Sequence, residues 1–179
     1  PLVIDIPEED YIVDLGRASE ADIEGALLAP PVQRVERSYT LEEVTRNERV
    51  RAYVPRIDLD TITFEFGSAT IGNNQMRALS ALGQAMAKVL AERPDEVYLI
   101  EGHTDAVGSD YDNLILSDRR AEAVAVALSQ NFDIPPENLV TEGYGEQYLK
   151  VQTEEPNREN RRATVRRITE LLQAENQQQ

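Results

Sequence analysis

The sequence has no cysteine, no tryptophan and a single histidine, His103. Without cysteine there is no disulfide frame, no thiolate nucleophile and no cysteine-ligated metal. One histidine is a thin basis for a metal site. The neighbouring Asp105, Asp110 and Asp112 lack the Asp-x-Asp-x-Asp-Gly spacing and closing Glu of a calcium loop. We therefore expect no metal and no cofactor, and read His103 as packing at a strand end. Aromatics are 6% of the 179 residues against 41% apolar overall, so the core must be aliphatic and alanine-rich. No run reaches the roughly 18 apolar residues of a membrane-spanning helix. Basic residues are the minority charge, 18 against 33 acidic, for a formal net charge of −15. Attraction of nucleic acid or an anionic membrane through bulk charge is excluded. A local anion site made by a few arginines is not. The chain opens at Pro1 with no signal-peptide pattern, which fits a mature form or a cut one.

What is present falls into a regular order. Residues 1–40 read as an extension or linker, with β-prone pieces at Pro1–Ile6 and Tyr11–Leu15 around the acidic turn Pro7–Asp10. Ser19-Glu-Ala-Asp22 is a capping-box start for a short helix that Pro30-Pro31 stops. Residues 41–56 are a lead-in: Thr40-Leu-Glu-Glu43 opens a second short helix, and Arg49–Val54 suits a strand. Residues 57–172 form the domain, and 173–179 are a polar tail. Thr61–Phe66 alternates, placing Ile62, Phe64 and Phe66 on one face. Met76, Leu79, Leu82, Met86 and Val89 make one stripe of a long helix capped by Asn73 or Asn74. Val97–Ile100 is a buried central strand. A helix over about 118–130, opened by Ser117, follows. Asn138–Glu142 and Arg162–Ile168 are the last strands. The pattern predicts an α/β fold of the two-layer α+β sandwich kind. Its sheet is mixed and four-stranded, in β-α-β-α-β-β order with helices packed on one face. The arginines of the final strand read mostly as a solvated face.

Ligands of such sheets bind where loops leave the carboxyl ends of strands. That points to Gly67-Ser68 and to the turn between Gly102 and Asn113. Within it, Asp105 and Arg120 suit a zwitterion, the carboxylate meeting an ammonium and the planar guanidinium a carboxylate. Placed in the first helical turn, Arg120 would add the positive dipole end. The same two residues could equally pair with each other and pin the turn. Nothing supplies a nucleophile, base and orienter together, so no enzyme is expected. Gly67-Ser68 lacks the Lys and glycine repeat of a phosphate loop.

Five segments in order carry a resemblance: Ile62-Thr-Phe-Glu-Phe-Gly-Ser-Ala69, Glu101-Gly-His-Thr-Asp-Ala-Val-Gly108, Asn113-Leu-Ile-Leu-Ser-Asp-Arg-Arg-Ala121, Gly143-Tyr-Gly-Glu146 and Asn160-Arg-Arg162. Over about residues 57–169 the chain resembles the OmpA-like C-terminal domain, the peptidoglycan-binding module of OmpA, Pal and MotB type proteins. The resemblance implies noncovalent, noncatalytic binding of the diaminopimelate residue of a peptidoglycan stem peptide. It implies a location in the periplasm of a Gram-negative bacterium, associated with the outer membrane. Asp105 and Arg120, fifteen residues apart, match the family's main ligand contacts. Asn113 matches a polar contact and Arg161 a second carboxylate donor. Gly67 and Ser68 would give backbone contacts, and Thr104 would shape the turn. The departure is Gln147-Tyr-Leu-Lys-Val151, where many members carry a Pro; this loop is expected to border the cleft. An assembly module of the same fold, without wall binding, is the alternative. An outer-membrane or envelope protein and a second copy of the chain are the further partners left open.

Overall fold

A computed structural model describes residues 12–173. The piece Pro1–Ile6, the turn Pro7–Asp10 and the tail from Ala174 lie outside the described residues. Strands β1 (Ile12–Asp14), β2 (Arg56–Thr63), β3 (Tyr98–Gly102), β4 (Leu139–Gly143) and β5 (Arg162–Arg167) form one mixed sheet in the order β1-β2-β5-β3-β4. The β1–β2 and β3–β4 pairs are parallel, and β5 is antiparallel to both β2 and β3. The last strand thus inserts between the two that the sequence order places first in the domain. The α+β class and mixed sheet are as expected. The fifth strand, β1, falls within the β-prone Tyr11–Leu15, of which Tyr11 lies outside the described residues.

One face carries α1 (Glu20–Leu28), α4 (Asn73–Ala78), α5 (Ser80–Glu92) and α6 (Asp110–Phe132). Ser19 and Asp22 close the capping box of α1. The long helix expected from Asn73 is two helices meeting at Leu79, and its N-cap is Gly72, whose N–H donates to Gln75 Oε1 at 3.0 Å. Leu79, Leu82, Ala85 and Met86 bury against Ile57, Leu59, Ile62, Phe64 and Ile100, with Val124 and Leu128 of α6. Both 57/59 and 62/64 reach this core because β2 shifts register against β5 between Asp58 and Thr63. A bulge of that kind reverses which side chains face inward. The strand ends at Thr63, so Phe66 does not join Ile62 and Phe64; it is 62% exposed.

The opposite face is also covered, by α2 (Leu41–Arg46), α3 (Glu48–Arg51) and α7 (Thr169–Leu172). Val44, Val50 and Val54 meet Leu99, Ile168 and Leu171 there. Arg49–Val54 is therefore not a strand. Asn47 Oδ1 accepts from the N–H groups of Arg49 and Val50 and turns the chain into α3. The arginines of β5 are not a solvated face either. Arg167 holds Glu96 through Nε at 2.7 Å and Nη2 at 2.8 Å, and Arg166 Nε donates to Glu101 at 3.2 and 3.3 Å.

Two glycines set the height of α6 above the sheet. A Cβ on Gly102 would lie 1.9 Å from the Ser117 carbonyl oxygen, and one on Gly143 would lie 2.3 Å from the Asp118 nitrogen. Only glycine lets backbone approach backbone so closely. Ser117 Oγ then accepts from Gly145 N–H at 2.8 Å, and Asp118 Oδ1 from Gly143 N–H at 2.7 Å. So Ser117 is an interior contact of α6, not its cap. The cap is Ser109, which accepts from Asp112 N–H at 3.1 Å. The acidic run Asp110–Asp112 looks like loop in sequence, yet it suits a first helical turn.

Candidate functional site

Beyond β3 the chain stays pinned to its neighbours. His103 N–H donates to the Arg162 carbonyl at 3.0 Å and Thr104 N–H to the Gly145 carbonyl at 2.9 Å. The turn that follows presents Asp105, whose side chain is 4% exposed. Its Oδ1 accepts from Val107 N–H at 3.2 Å. Its Oδ2 accepts from Arg161 Nη1 at 2.9 Å and from Asn157 N–H at 3.4 Å. Asn113, in the first turn of α6, closes the turn from the other side. Its Nδ2 reaches the carbonyls of Val107 at 3.1 Å and Asp105 at 3.4 Å, and Glu146 Oε1 at 3.4 Å.

Arg120 is completely buried. Nε donates to the Ser68 carbonyl at 2.8 Å, Nη1 to that of His103 at 3.0 Å and Nη2 to that of Glu65 at 3.2 Å. The guanidinium lies 5.1 Å from the centre of the Phe64 ring. Burial pushes Arg120 down to about 10, against the opposing pull of Asp105, so it is still a cation at neutral pH. A guanidinium has five N–H groups; three carbonyl bonds leave two without a carbonyl partner.

These parts line one cleft of about 410 Å³. Gly67, Thr104, Asp105, Asn113, Arg120 and Arg161 all border it, as do Phe66 and Arg119. Gly67 turns there with a φ of +70°, a conformation that favours glycine. Three arginines face two aspartates, Asp105 and Asp112, across its walls. In a chain of net charge −15 this is a local surplus of positive charge. The arrangement can hold a small ligand that carries carboxylate together with ammonium. Among the described residues no group of three or more acidic or histidine side chains is placed to hold a metal.

Six of the seven expected site residues therefore share one cleft. Ser68 stands behind the wall, its carbonyl taken by Arg120 and its Oγ accepting from Thr70 N–H at 3.0 Å. Three expectations need correcting. Asp105 and Arg120 do not form an ion pair; the partner of Asp105 is Arg161, because carbonyls occupy Arg120. Arg120 lies about three turns into α6, so no helix N-terminus adds to it. The loop 147–151 does not border the cleft. Tyr148 sits edge-on to Tyr144, ring centres 5.4 Å apart, and Lys150 reaches Asp58 at 3.6 Å, both on the second face of the sheet. Three contributors escaped the sequence reading. Arg119 is visible as the first arginine of Asp118-Arg-Arg120 and Glu146 as the last residue of Gly143-Tyr-Gly-Glu146, whereas the Asn157 backbone arrives by folding alone.

Comparison with known proteins bears on this geometry. A family model described as the OmpA family matches residues 63–164, more than half of the chain. Outer membrane porin F of Pseudomonas aeruginosa is 32% identical over 124 residues, which cover 69% of this chain and 32% of the porin. Putative lipoprotein YfiB of Escherichia coli is 39% identical over 84 residues, covering 46% of this chain and 52% of the lipoprotein. The chain thus spans about a quarter to a half of the curated relatives it matches. Among solved structures, the OmpA-like domain of FopA1 from Francisella tularensis superposes with a TM-score of 0.50 at 19% identity, covering 62% of this chain and 70% of that one. The periplasmic domain of Helicobacter pylori MotB does so with 0.50 at 16%, covering 63% and 73%. These two likenesses speak to the fold.

Proposed function

The chain belongs to the OmpA family, and from that premise we propose that its cleft binds peptidoglycan noncovalently through the diaminopimelate residue of the stem peptide. The family is one of structural and binding modules rather than enzymes. The observation that carries the reading is the union of Asp105, Arg120 and Arg161 on one cleft with a surplus of positive charge. The ammonium of the diaminopimelate side chain meets Asp105. Its carboxylate meets the guanidinium N–H groups of Arg120 that no carbonyl takes, with Arg161 as a second donor. A zwitterion suits the Asp105–Arg161 pair for a further reason. Each charge exchanges its partner for a ligand group of the same sign, so neither is left uncompensated in a place where that is costly. Asn113 and Thr104 hold the turn that shapes the wall of the cleft. The bound wall would anchor an envelope protein or assembly of which this chain is the wall-facing part. An outer membrane porin and a lipoprotein among the relatives agree with such a place in the envelope. No helix among the described residues is long and apolar enough to cross a membrane.

The test is calorimetric titration with a stem peptide containing diaminopimelate and with its lysine counterpart, which lacks the side-chain carboxylate. Loss of that carboxylate should weaken binding by roughly tenfold or more, the worth of one charge-assisted hydrogen bond. Equal affinity for the two peptides would remove Arg120 and Arg161 from the reading. Absence of binding to either, and to intact peptidoglycan, would leave the fold as a protein–protein assembly module.

A further inference from the structure

On the second face, Arg51, Arg56, Glu101, His103, Arg162 and Arg166 border a separate cavity of about 90 Å³ that opens beside Glu48 and Ala52. Glu101 is its buried acid. It accepts from Arg166 Nε at 3.2 Å and from the Thr164 hydroxyl, and Arg51 Nε lies 3.2 Å away. Arg56 has its own acid, Asp58, at 2.6 Å. That leaves Arg162. Among the described residues it forms no ion pair, and its one hydrogen bond runs from Nη2 to the Tyr148 carbonyl at 3.0 Å. The residue is 6% exposed, yet Nε and Nη1 have no partner. His103, 3% exposed, has no partner at either ring nitrogen. Four orphaned nitrogens on two buried side chains therefore border the same small cavity. Buried polar groups are nearly always satisfied, and each exception calls for a reason. Water would satisfy the nitrogens. It would leave the charge of Arg162 balanced only by Asp58 and Glu101, neither at ion-pair distance, in a lining of four arginines and two glutamates.

We propose that this cavity is a second site, distinct from the cleft at Asp105, which takes a compact tetrahedral oxyanion of the inorganic phosphate or sulfate kind. Arg162 presents Nη1 to one oxygen of such an ion, while Nε, on another edge of the guanidinium, takes a second oxygen through a bound water. Neutral His103 donates from one ring nitrogen to a third. The site forms where α3 closes over the sheet, so its occupant ties residues 48–56 to β3 and β5.

His103 is the only histidine in the chain, so its imidazole NMR signal needs no assignment. The experiment titrates the whole chain with sodium phosphate, and separately with sodium sulfate, at fixed pH, with sodium chloride holding ionic strength constant. The expected result is a saturable shift of the His103 signal with either oxyanion and none with chloride. Arg162→Lys keeps the charge but loses the Nη1 donor, and should raise the half-saturation concentration roughly tenfold or more. Should that variant not fold, Arg56→Gln at the rim serves instead, with a smaller loss in the same direction. A His103 signal that both oxyanions leave unmoved up to tens of millimolar overturns the proposal. So does a shift that chloride reproduces, or one that the arginine variants leave intact.

Discussion

The cleft beside Asp105 and the cavity beside Glu101 are made of the same groups, arginines around a single buried carboxylate, but the most buried arginine of each is wired differently. In the cleft, Arg120 spends its hydrogen bonds on three carbonyls, which are neutral, so its full charge stays available to a ligand. On the second face, Arg51 and Arg166 also donate to carbonyls, but Arg51 Nε lies 3.2 Å from Glu101 and Arg166 Nε donates to it, which cancels much of their charge. A guanidinium held by carbonyls alone is a positioned cation. One that also shares an enclosed carboxylate with a second arginine is part of the scaffold. The contrast matters more than burial, since Arg51 and Arg120 are both essentially inaccessible.

The largest expected effect tests the scaffold half of this contrast. Glu101→Leu leaves Arg51 and Arg166 facing each other without their acid. Breaking a buried pair from one side costs about 3–5 kcal/mol, read as a lower urea midpoint at unchanged slope. Peptidoglycan binding per folded molecule should hardly change. A variant that unfolds no more easily than the parent would mean that Glu101 is not the centre of that network. Next in size is Arg120→Met. It strips the carbonyls of Glu65, Ser68 and His103 of their donor, for about 2–4 kcal/mol, and unlike the first variant it should also abolish wall binding. Stability loss with retained binding would break the distinction between the two regions.

Acid should act on the second face. Burial, with Arg162 beside it, holds His103 well below the ordinary imidazole range; Glu101 opposes this, while Arg56 and Arg166 reinforce it. A base kept neutral in the folded state gives stability that is complete above its unfolded pKa, near 6.5. That stability is lost as pH falls below it, by no more than about 1.4 kcal/mol per pH unit. Burial opposes ionisation of Glu101, but Arg166, the Thr164 hydroxyl and Arg51 outweigh it and hold the carboxyl at about 2. Its contribution is present above pH 4.5 and is lost from there down towards 2. In phosphate-free buffer, melting temperature should therefore begin to fall below pH 6.5. In His103→Gln the slope between pH 6.5 and 5 should flatten while the steeper loss below 4.5 remains.

The two regions also differ in how far they can be read from residues in order. The cleft draws most of its wall from 102–120, where local spacing and five ordered motifs expose it. Even there, Arg161 arrives as the partner of Asp105 only because β5 inserts beside β3. The second face was illegible. Its cavity joins Arg51, Glu101, His103, Tyr148 and Arg162, which no periodicity links. Alternation in Arg162–Arg167 reads as one solvated face only while nothing is known to lie on it, and α3 lies on it. The start of α6 was missed for a local reason: Asp110, Asp112 and Asn113 are polar enough to pass for loop, and Ser117 for a cap. The fate of Phe66 turned on the register shift in β2, which no strand pattern shows by itself.

The smallest expected loss of stability gives the sharpest division between the regions. Asp105→Asn keeps the shape of the side chain and an oxygen to accept from Val107 N–H, and Arg161 keeps its 2.7 Å bond to the Phe64 carbonyl. The side chain of Arg161 is 12% exposed at an open cleft, so solvent can screen what Asn cannot. The cost should be about 1 kcal/mol, a fraction of that for Glu101→Leu. Binding should behave the other way. An amide offers an ammonium only a neutral oxygen, while the unpaired Arg161 still attracts the ligand carboxylate. Affinity for the diaminopimelate peptide should fall roughly tenfold or more, with the remainder carried by the carboxylate end. A combined Asp105→Asn/Glu101→Leu chain should then show the two losses adding, stability from one and affinity from the other, as expected of regions that share no partner. Coupling between them would mean that β3, which carries Glu101 and leads into the turn of Asp105, transmits one site to the other.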